Sequence, residues 1–199
     1  MGHRAKPNGL IHTFFRPSDD LQQLPYLIPA QFFAFYTLNL LKELVDELGW
    51  TKEFTDDISK LISDLNTILF DEKVSEKEES LITFKHPNHG MIYAYEINGF
   101  GEKNFMDDSN IPSLLSLPYI CPEKIPISHK IYRNTRSFVL SKDNPWYFEG
   151  KILEGKSIHF LKVVAQRNDR LVFCSIEKVL GVHIVDNSWL GHWQLLFVV

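Results

Sequence analysis

The sequence is poor in cysteine, in long apolar runs and in excess charge, and each scarcity excludes a class of protein. Its two cysteines, Cys121 and Cys174, provide neither a disulfide framework nor a cysteine-based zinc motif. No stretch approaches the roughly 18 apolar residues of a membrane-spanning helix, and residues 1–9 contain no apolar run of signal-peptide length. We therefore expect no membrane segment in this chain, and its compartment stays open.

The charge balance argues against a nucleic-acid partner. The 199 residues include 21 basic and 25 acidic side chains, scattered along the chain, for a formal net charge of −4. Binding to a phosphate backbone needs a concentrated basic surface, which this pattern does not predict. With 44% hydrophobic residues, the chain can still bury the core of one globular domain.

Motifs for metal binding and nucleophilic catalysis are also missing. His86 and His89 stand three positions apart, but Pro87 between them breaks a helix, and no second group of ligands accompanies them. The sequence therefore predicts no metal site. It also contains no Gly-x-Ser-x-Gly elbow and no phosphate-binding glycine loop.

The first seventy residues predict two amphipathic helices. Leucines and a valine repeat at helical spacing between Pro29 and Gly49, which predicts a helix over 30–48. Thr55 forms a capping start ahead of a second apolar stripe, which predicts a helix over about 56–70. The short connection between them makes an antiparallel αα-hairpin. Five of its residues are expected to be buried: Leu41, Leu44, Ile58, Leu61 and Leu65.

The rest of the sequence predicts shorter elements. Residues 90–110 alternate loosely and are punctuated by glycines, which is typical of a short hairpin or an irregular loop. Short helices are predicted over 111–117 and 132–140, and the last forty-five or so residues show no sustained period. Because one helical hairpin after another is a structural repeat, the pattern favours an all-α array or toroid.

Arg16 and the adjacent carboxylates Asp19 and Asp20 stand on a proline-bounded loop ahead of the long predicted helix. Free backbone N–H groups and partial positive charge at a helix start favour anions or sugar hydroxyls, so such a loop can hold a binding site. The plainer interpretation is a turn capped by Ser18 or Asp19, in which Arg16 pairs with Asp20. The spacing alone does not decide between the two.

A second acidic segment carries Asp107, Asp108 and Asn110 among aromatic neighbours. These groups suit a pocket that binds a polyhydroxylated ring through hydrogen bonds and apolar stacking. Equally, Asp108 or the serine after it caps the helix predicted over 111–117. Trp146 and Tyr147, on a later proline loop, suit a sugar platform but are as well explained by core packing.

Three motifs in this order resemble glycoside hydrolase family 125, whose fungal members are described as meiotically up-regulated proteins. They are FRPSDD at 15–20, MDDSNIPSLLSLPY at 106–119, and the segment from Thr135-Arg136 to the YFEG of 147–150. The resemblance implies an (α/α)6 toroid of the six-hairpin glycosidase type, here incomplete. It also implies inverting hydrolysis of terminal alpha-1,6-linked mannose, without metal or organic cofactor. The implied partner is a mannose-containing oligosaccharide.

The resemblance also assigns roles to residues. It places the general acid at Asp19 or Asp20, and it makes Arg16, Asp107, Asp108 and Asn110 the candidates for binding the terminal sugar. An inverting enzyme needs a second carboxylate that activates water from the opposite face of the sugar. In the family this base is a glutamate in a Met-His-Glu type motif near the C-terminus, and this sequence contains no such motif.

Two parts of the chain are predicted on this basis. Residues 1–150 form a partial (α/α)6 glycosidase domain, and residues 151–199 form a divergent tail. Such a chain is expected to be an internal piece of the toroid and to be inactive on its own. The alternative function is a non-catalytic mannoside-binding or regulatory remnant. A helical interaction scaffold would leave the two Asp-Asp segments without a role.

Overall fold

The computed structural model describes residues 4–70, 78–108 and 110–148, together with the backbone of 163–166 and 170–173. Four helices are present in these ranges: α1 (Ile28–Glu47), α2 (Lys52–Leu69), α3 (Leu117–Ile120) and α4 (Lys130–Val139). Eight short strands accompany them: β1 (Tyr26–Leu27), β2 (Thr83–His86), β3 (Gly90–Tyr93), β4 (Glu96–Ile97), β5 (Lys103–Asn104), β6 (Tyr147–Phe148), β7 (Val163–Gln166) and β8 (Arg170–Phe173).

The predicted helical hairpin is confirmed, since α1 and α2 pack against each other around a tight turn. Gly49 adopts a left-handed conformation with φ of 65°, which suits glycine just after a helix end. Its N–H donates to the carbonyl of Asp46, and the N–H of Trp50 donates to that of Val45, at 3.3 and 3.1 Å. This paired closure satisfies the last carbonyls of α1 and turns the chain back toward α2.

Details of the hairpin differ from the sequence prediction. Thr51, not Thr55, precedes α2, and the Thr55 hydroxyl donates to the carbonyl of Lys52 within the first turn. Ile58 and Leu65 are buried as expected, whereas Leu41 is half-buried. The predicted burial of Leu44 and Leu61 is wrong, since these side chains are 52% and 45% exposed. The apolar stripe of each helix is therefore wider than the surface that the other helix covers.

The described residues are not all-α, and this corrects the predicted fold class. Strands β1, β4 and β5 form a three-stranded antiparallel sheet, β2 and β3 form a hairpin, and β6, β7 and β8 form a second three-stranded sheet. Gly90, Gly99 and Gly101 all have positive φ, which lets the chain reverse tightly between or beside short strands. The glycines that suggested a hairpin or an irregular loop therefore lie at the turns of two adjacent hairpins, β2–β3 and β4–β5.

Two further predictions concern the segment 111–117 and the tail of the chain. The helix expected over 111–117 is absent, and α3 begins only at Leu117, because residues 113–116 form a turn held by the carboxylate of Asp107. In the predicted tail, β7 and β8 pair with each other, and β7 also pairs with β6. The remaining tail residues lie outside the described ranges.

The core lies between α1, β3 and α4, and it fixes the segments that carry the predicted site. Tyr95 and Tyr132 are completely buried, and the ring of Phe32 meets that of Tyr93 edge-on at 5.7 Å. The buried Thr135 hydroxyl accepts the N–H of Tyr93 at 2.9 Å and so joins α4 to β3. Strand β4 begins three residues after Tyr93, and its Ile97 belongs to the same buried core.

Candidate functional site

The predicted acidic loop is a short closed turn, defined here as residues 15–21. An antiparallel bridge joins Phe15 to Leu21, and the N–H of Arg16 donates to the carbonyl of Asp20 at 2.8 Å. Asp19 has a φ of 66°, a left-handed conformation that aspartate tolerates better than most side chains. Asp19 and Asp20 are both exposed at the tip of the loop. Phe15 and Leu21 at its base are 58% and 70% exposed.

The loop is anchored by a buried ion pair between Arg16 and Glu96 on β4. Arg16 Nε lies 2.6 Å from Glu96 Oε1, and the two side chains are 7% and 0% exposed. The second carboxylate oxygen of Glu96 accepts the N–H groups of Gln23 and Leu24 and the side-chain amide of Asn104, at 3.1 to 3.3 Å. Glu96 therefore holds both the arginine and the chain that leaves the loop.

Glu96 was not a predicted site residue, and the buried ion pair of Arg16 is formed with it. The sequence does contain one signal for Glu96, which is its position in an apolar stretch between Tyr95 and Ile97. A buried glutamate needs a partner of opposite charge, because an unpaired buried charge is costly. The sequence does not say which of the arginines supplies it.

The second acidic segment is buried rather than displayed. Asp107 Oδ1 and Oδ2 accept the N–H groups of Leu114 and Leu115 at 2.8 and 3.0 Å, so this carboxyl caps the turn before α3. Its burial raises the pKa of Asp107 to about 8. Asp108 is also buried and accepts the N–H of Asn110 at 2.9 Å, while Asn110 itself is half-buried. The four predicted carboxylates therefore do not share one environment.

Electrostatics link the acidic loop to the second segment. Burial acts to lower the pKa of Arg16, but the hydrogen bond and charge of Glu96, with smaller effects of Tyr95 and Asp108, raise it above its usual range. Burial first, and then the charges of Asp108 and Asp107, raise the pKa of the Tyr95 hydroxyl. The guanidinium carbon of Arg16 lies 5.8 Å from the centroid of the Tyr95 ring. Arg16 and Asp108 are thus neighbours around Tyr95.

Some buried polar atoms in this region have no hydrogen-bond partner among the described residues. They are the hydroxyl of Tyr95, Nη2 of Arg16 and both amide atoms of Gln22. Buried polar groups are normally satisfied by protein, water or ligand. These atoms leave hydrogen-bonding capacity in the Arg16–Tyr95 region that water, a ligand or a further protein segment can satisfy.

A cleft of about 250 Å³ lies next to the end of the acidic loop. It is lined by Arg4, Leu24, Asn98, Phe100 and Glu102. Arg4 stacks over the Phe100 ring at 4.9 Å, and Asn98 donates to Glu102 at 2.6 Å. A mixture of amide, carboxylate and aromatic surface suits a polyhydroxylated ring. Asn98 and Phe100 precede the second acidic segment in the sequence, but none of the five lining residues was a predicted site residue.

The predicted aromatic platform lies beyond α4. Trp146 is 39% exposed, and its backbone N–H donates to the side-chain oxygen of Asn144 at 3.1 Å. Tyr147 is half-buried and belongs to β6. The aromatic pair is therefore part of an exposed turn and a sheet edge, and its role in sugar binding stays a prediction.

Residues 1–162 match the family described as metal-independent alpha-mannosidase, glycoside hydrolase family 125. The chain belongs to this family.

Two relatives show how much of such a protein is present. The Meiotically up-regulated gene 157 protein of Schizosaccharomyces pombe is 36% identical over 147 residues, covering 73% of this chain and 26% of the yeast protein. A Streptococcus pneumoniae metal-independent alpha-mannosidase, solved as a non-productive complex with alpha-1,6-mannobiose, superposes with a TM-score of 0.66 at 29% identity. That match covers 75% of this chain and 33% of the bacterial chain. The chain therefore spans a third or less of the length of these relatives.

No helix in residues 4–70, 78–108 and 110–148 is both long enough and apolar enough to cross a membrane.

Proposed function

We propose that this chain forms the mannoside-binding, acid-bearing part of an inverting alpha-mannosidase site, and that it does not turn substrate over on its own. The observation that carries this proposal is the acidic loop. A buried ion pair fixes its base, two carboxylates are exposed at its tip, and Phe15 and Leu21 present apolar surface beside them. Carboxylates next to an apolar face suit a pyranose, which has hydroxyl edges and apolar ring faces.

In this proposal the exposed carboxylates and the buried ones have different tasks. Asp19 or Asp20 is the general acid that protonates the leaving oxygen of an alpha-1,6-linked mannose. Arg16 acts as a positioning residue, because its guanidinium is buried against Glu96. Asp107 holds the turn before α3, since both of its oxygens accept backbone N–H groups. Asp108 and Asn110 are the members of that segment that we assign to the sugar.

We further infer that the α1–α2 hairpin is one hairpin of an (α/α)6 toroid. Its outward surface carries large apolar side chains that are 37% to 62% exposed. They are Phe33, Tyr36, Leu40, Leu44, Leu48, Trp50, Phe54 and Leu61. An apolar surface of this extent suits contact with a neighbouring hairpin. The matched segments make up only 26% and 33% of the relatives, so the relatives have the length for such neighbours.

Binding of alpha-1,6-mannobiose to the 199-residue chain tests the proposal. We expect saturable chemical-shift changes on titration, and we expect Phe15→Ala to weaken binding about 10-fold, the equivalent of about 1.4 kcal/mol of lost stacking. Phe33→Ala is the matched control, because Phe33 is similarly exposed but lies on α1. Absence of binding, or an equal effect of both substitutions, would contradict the assignment of the acidic loop.

A further inference from the structure

His86, His89 and Asp143 form a cluster that the sequence analysis dismissed as a metal site. The dismissal assumed helical spacing, but His86 ends β2 and His89 lies in the turn before β3. Asp143, from the turn after α4, joins them. One potential ligand atom from each of the three residues lies within 4.8 Å of the other two.

The proton on His89 can be located from its neighbours. His89 Nε2 faces Asp143 Oδ2 at 3.0 Å and Ser141 Oγ at 3.3 Å. The Ser141 hydroxyl donates its own hydrogen to the carbonyl of Phe138 at 2.8 Å, so it can only accept from His89. With two acceptors in front of it, Nε2 carries a proton. A cation can take the place of that proton.

The groups around the cluster are those that orient metal ligands. His89 Nδ1 lies 3.1 Å from Ser137 Oγ, which fixes the ring plane. Asn88 donates its side-chain amide to Asp143 Oδ2 at 3.0 Å. Its backbone N–H donates to His86 Nδ1 at 3.2 Å, and His86 gives up this hydrogen bond when its imidazole binds the ion. Hydrogen bonds from outside the ligand set typically hold metal-binding histidines and carboxylates in place. The Phe138 ring, 5.2 Å from that of His86, adds an apolar wall.

We propose that His86, His89 and Asp143 bind one divalent transition-metal ion of the Zn²⁺ type. The ligands are an imidazole nitrogen of His86, Nε2 of His89 and the Asp143 carboxylate, and the fourth position is left to water. Two imidazoles and a carboxylate form a ligand set that zinc accepts. Neutral His89 binds the ion through Nε2 after its proton has moved to Nδ1, which faces Ser137 Oγ at 3.1 Å, so the imidazole keeps one proton and no oxidation or reduction is involved.

The geometry requires His86 to move closer to the other two ligands. Tetrahedral zinc with bonds of about 2.0 to 2.1 Å places its ligand atoms roughly 3.3 Å apart. The His89–Asp143 pair is already at 3.0 Å, so His86 alone must approach, and it lies half-buried at the end of a strand. The bound ion would tie the β2–β3 turn to the end of α4. This is a structural role, which does not conflict with hydrolysis that proceeds without metal.

Titration of Zn²⁺ into the metal-stripped 199-residue chain, followed by calorimetry and by the imidazole signals in NMR, tests the site. We expect one ion to bind, to shift the signals of His86 and His89, and to raise the melting temperature. Asp143→Asn and His86→Asn should each lower the affinity at least about 10-fold, since loss of even a supporting group costs about 10- to 100-fold. His12→Asn is the matched control and should bind like the parent chain.

Two outcomes would overturn the proposal. One is the absence of saturable Zn²⁺ binding by the parent chain. The other is unchanged affinity in Asp143→Asn and His86→Asn, which would place the ion on other histidines. Asp143 is exposed, so its substitution should leave the fold intact, and the circular dichroism spectrum of the variant checks this.

Discussion

Arg16 and Glu96 are separated by 80 residues in sequence and joined by one buried ion pair. The pair explains why a loop with an exposed polar tip has a fixed shape: removing either partner would leave a buried charge without compensation. The arginine and the neighbouring aspartates could be singled out from sequence, because they are adjacent. The glutamate could not be paired with them, because the choice among distant partners depends on the packing of β4 and β1.

The buried carboxyl of Asp107 predicts a pH-dependent stability. Burial raises the pKa of Asp107 in the folded chain from 3.8 to about 8. Between these values the folded chain retains a proton that the unfolded chain has released. The free energy of unfolding should therefore fall as pH rises from about 4 to 8, by roughly 1.4 kcal/mol per pH unit for one fully coupled group.

Urea unfolding of the parent chain and of Asp107→Asn at several pH values measures this effect. The asparagine cannot ionise, so the contribution of position 107 should vanish, while other titrating groups stay the same in both proteins. At low pH the variant should be less stable by about 1 to 3 kcal/mol, because one of the two leucine N–H groups loses its acceptor. Parallel stability curves across the pH range would show that Asp107 is not responsible.

At the scale of the elements, the α1–α2 hairpin offers a matched pair of leucines one turn apart. Leu65 is 1% exposed, whereas Leu61 is 45% exposed. Leu65→Ala should lower the free energy of unfolding by about 2 to 5 kcal/mol, because it leaves a cavity in the core. Leu61→Ala should cost less than about 1 kcal/mol. Equal losses in chemical denaturation would mean that Leu61 is covered in solution.

The positions of the helices could be predicted from the sequence, but which residues of each apolar stripe are buried could not. Periodicity located α1, α2 and α4 because apolar spacing and the glycine after α1 are local signals. It did not distinguish Leu61 from Leu65, since both belong to the same apolar stripe and only the packing of α1 separates them. The short strands β1, β4 and β5 have two residues each, which is too few for any alternation to be recognised.

At the scale of the whole molecule, the proposed assignment gives the described residues one of the two groups that inversion needs. The acidic loop presents Asp19 and Asp20, and the glutamate motif that resemblance to the family leads us to expect as the base is not in the sequence. Inversion places the two carboxyl groups about 6.5 to 9.5 Å apart, on opposite faces of the sugar. A chain with only the acid can bind and polarise a glycoside, but water has no proton acceptor on the attacking side.

We therefore predict that the 199-residue chain releases no free mannose from alpha-1,6-mannobiose above the buffer blank, even when the sugar is bound. General acid–base assistance contributes about 10² to 10⁴-fold per group, so loss of the base alone removes most of the rate. Asp19→Asn and Asp20→Asn should then be indistinguishable from the parent chain in this assay. If the parent chain is active and either substitution abolishes its turnover, the prediction is wrong. Another glutamate, such as Glu149, Glu154 or Glu177, would then be the base, and none of these lies within the described residues.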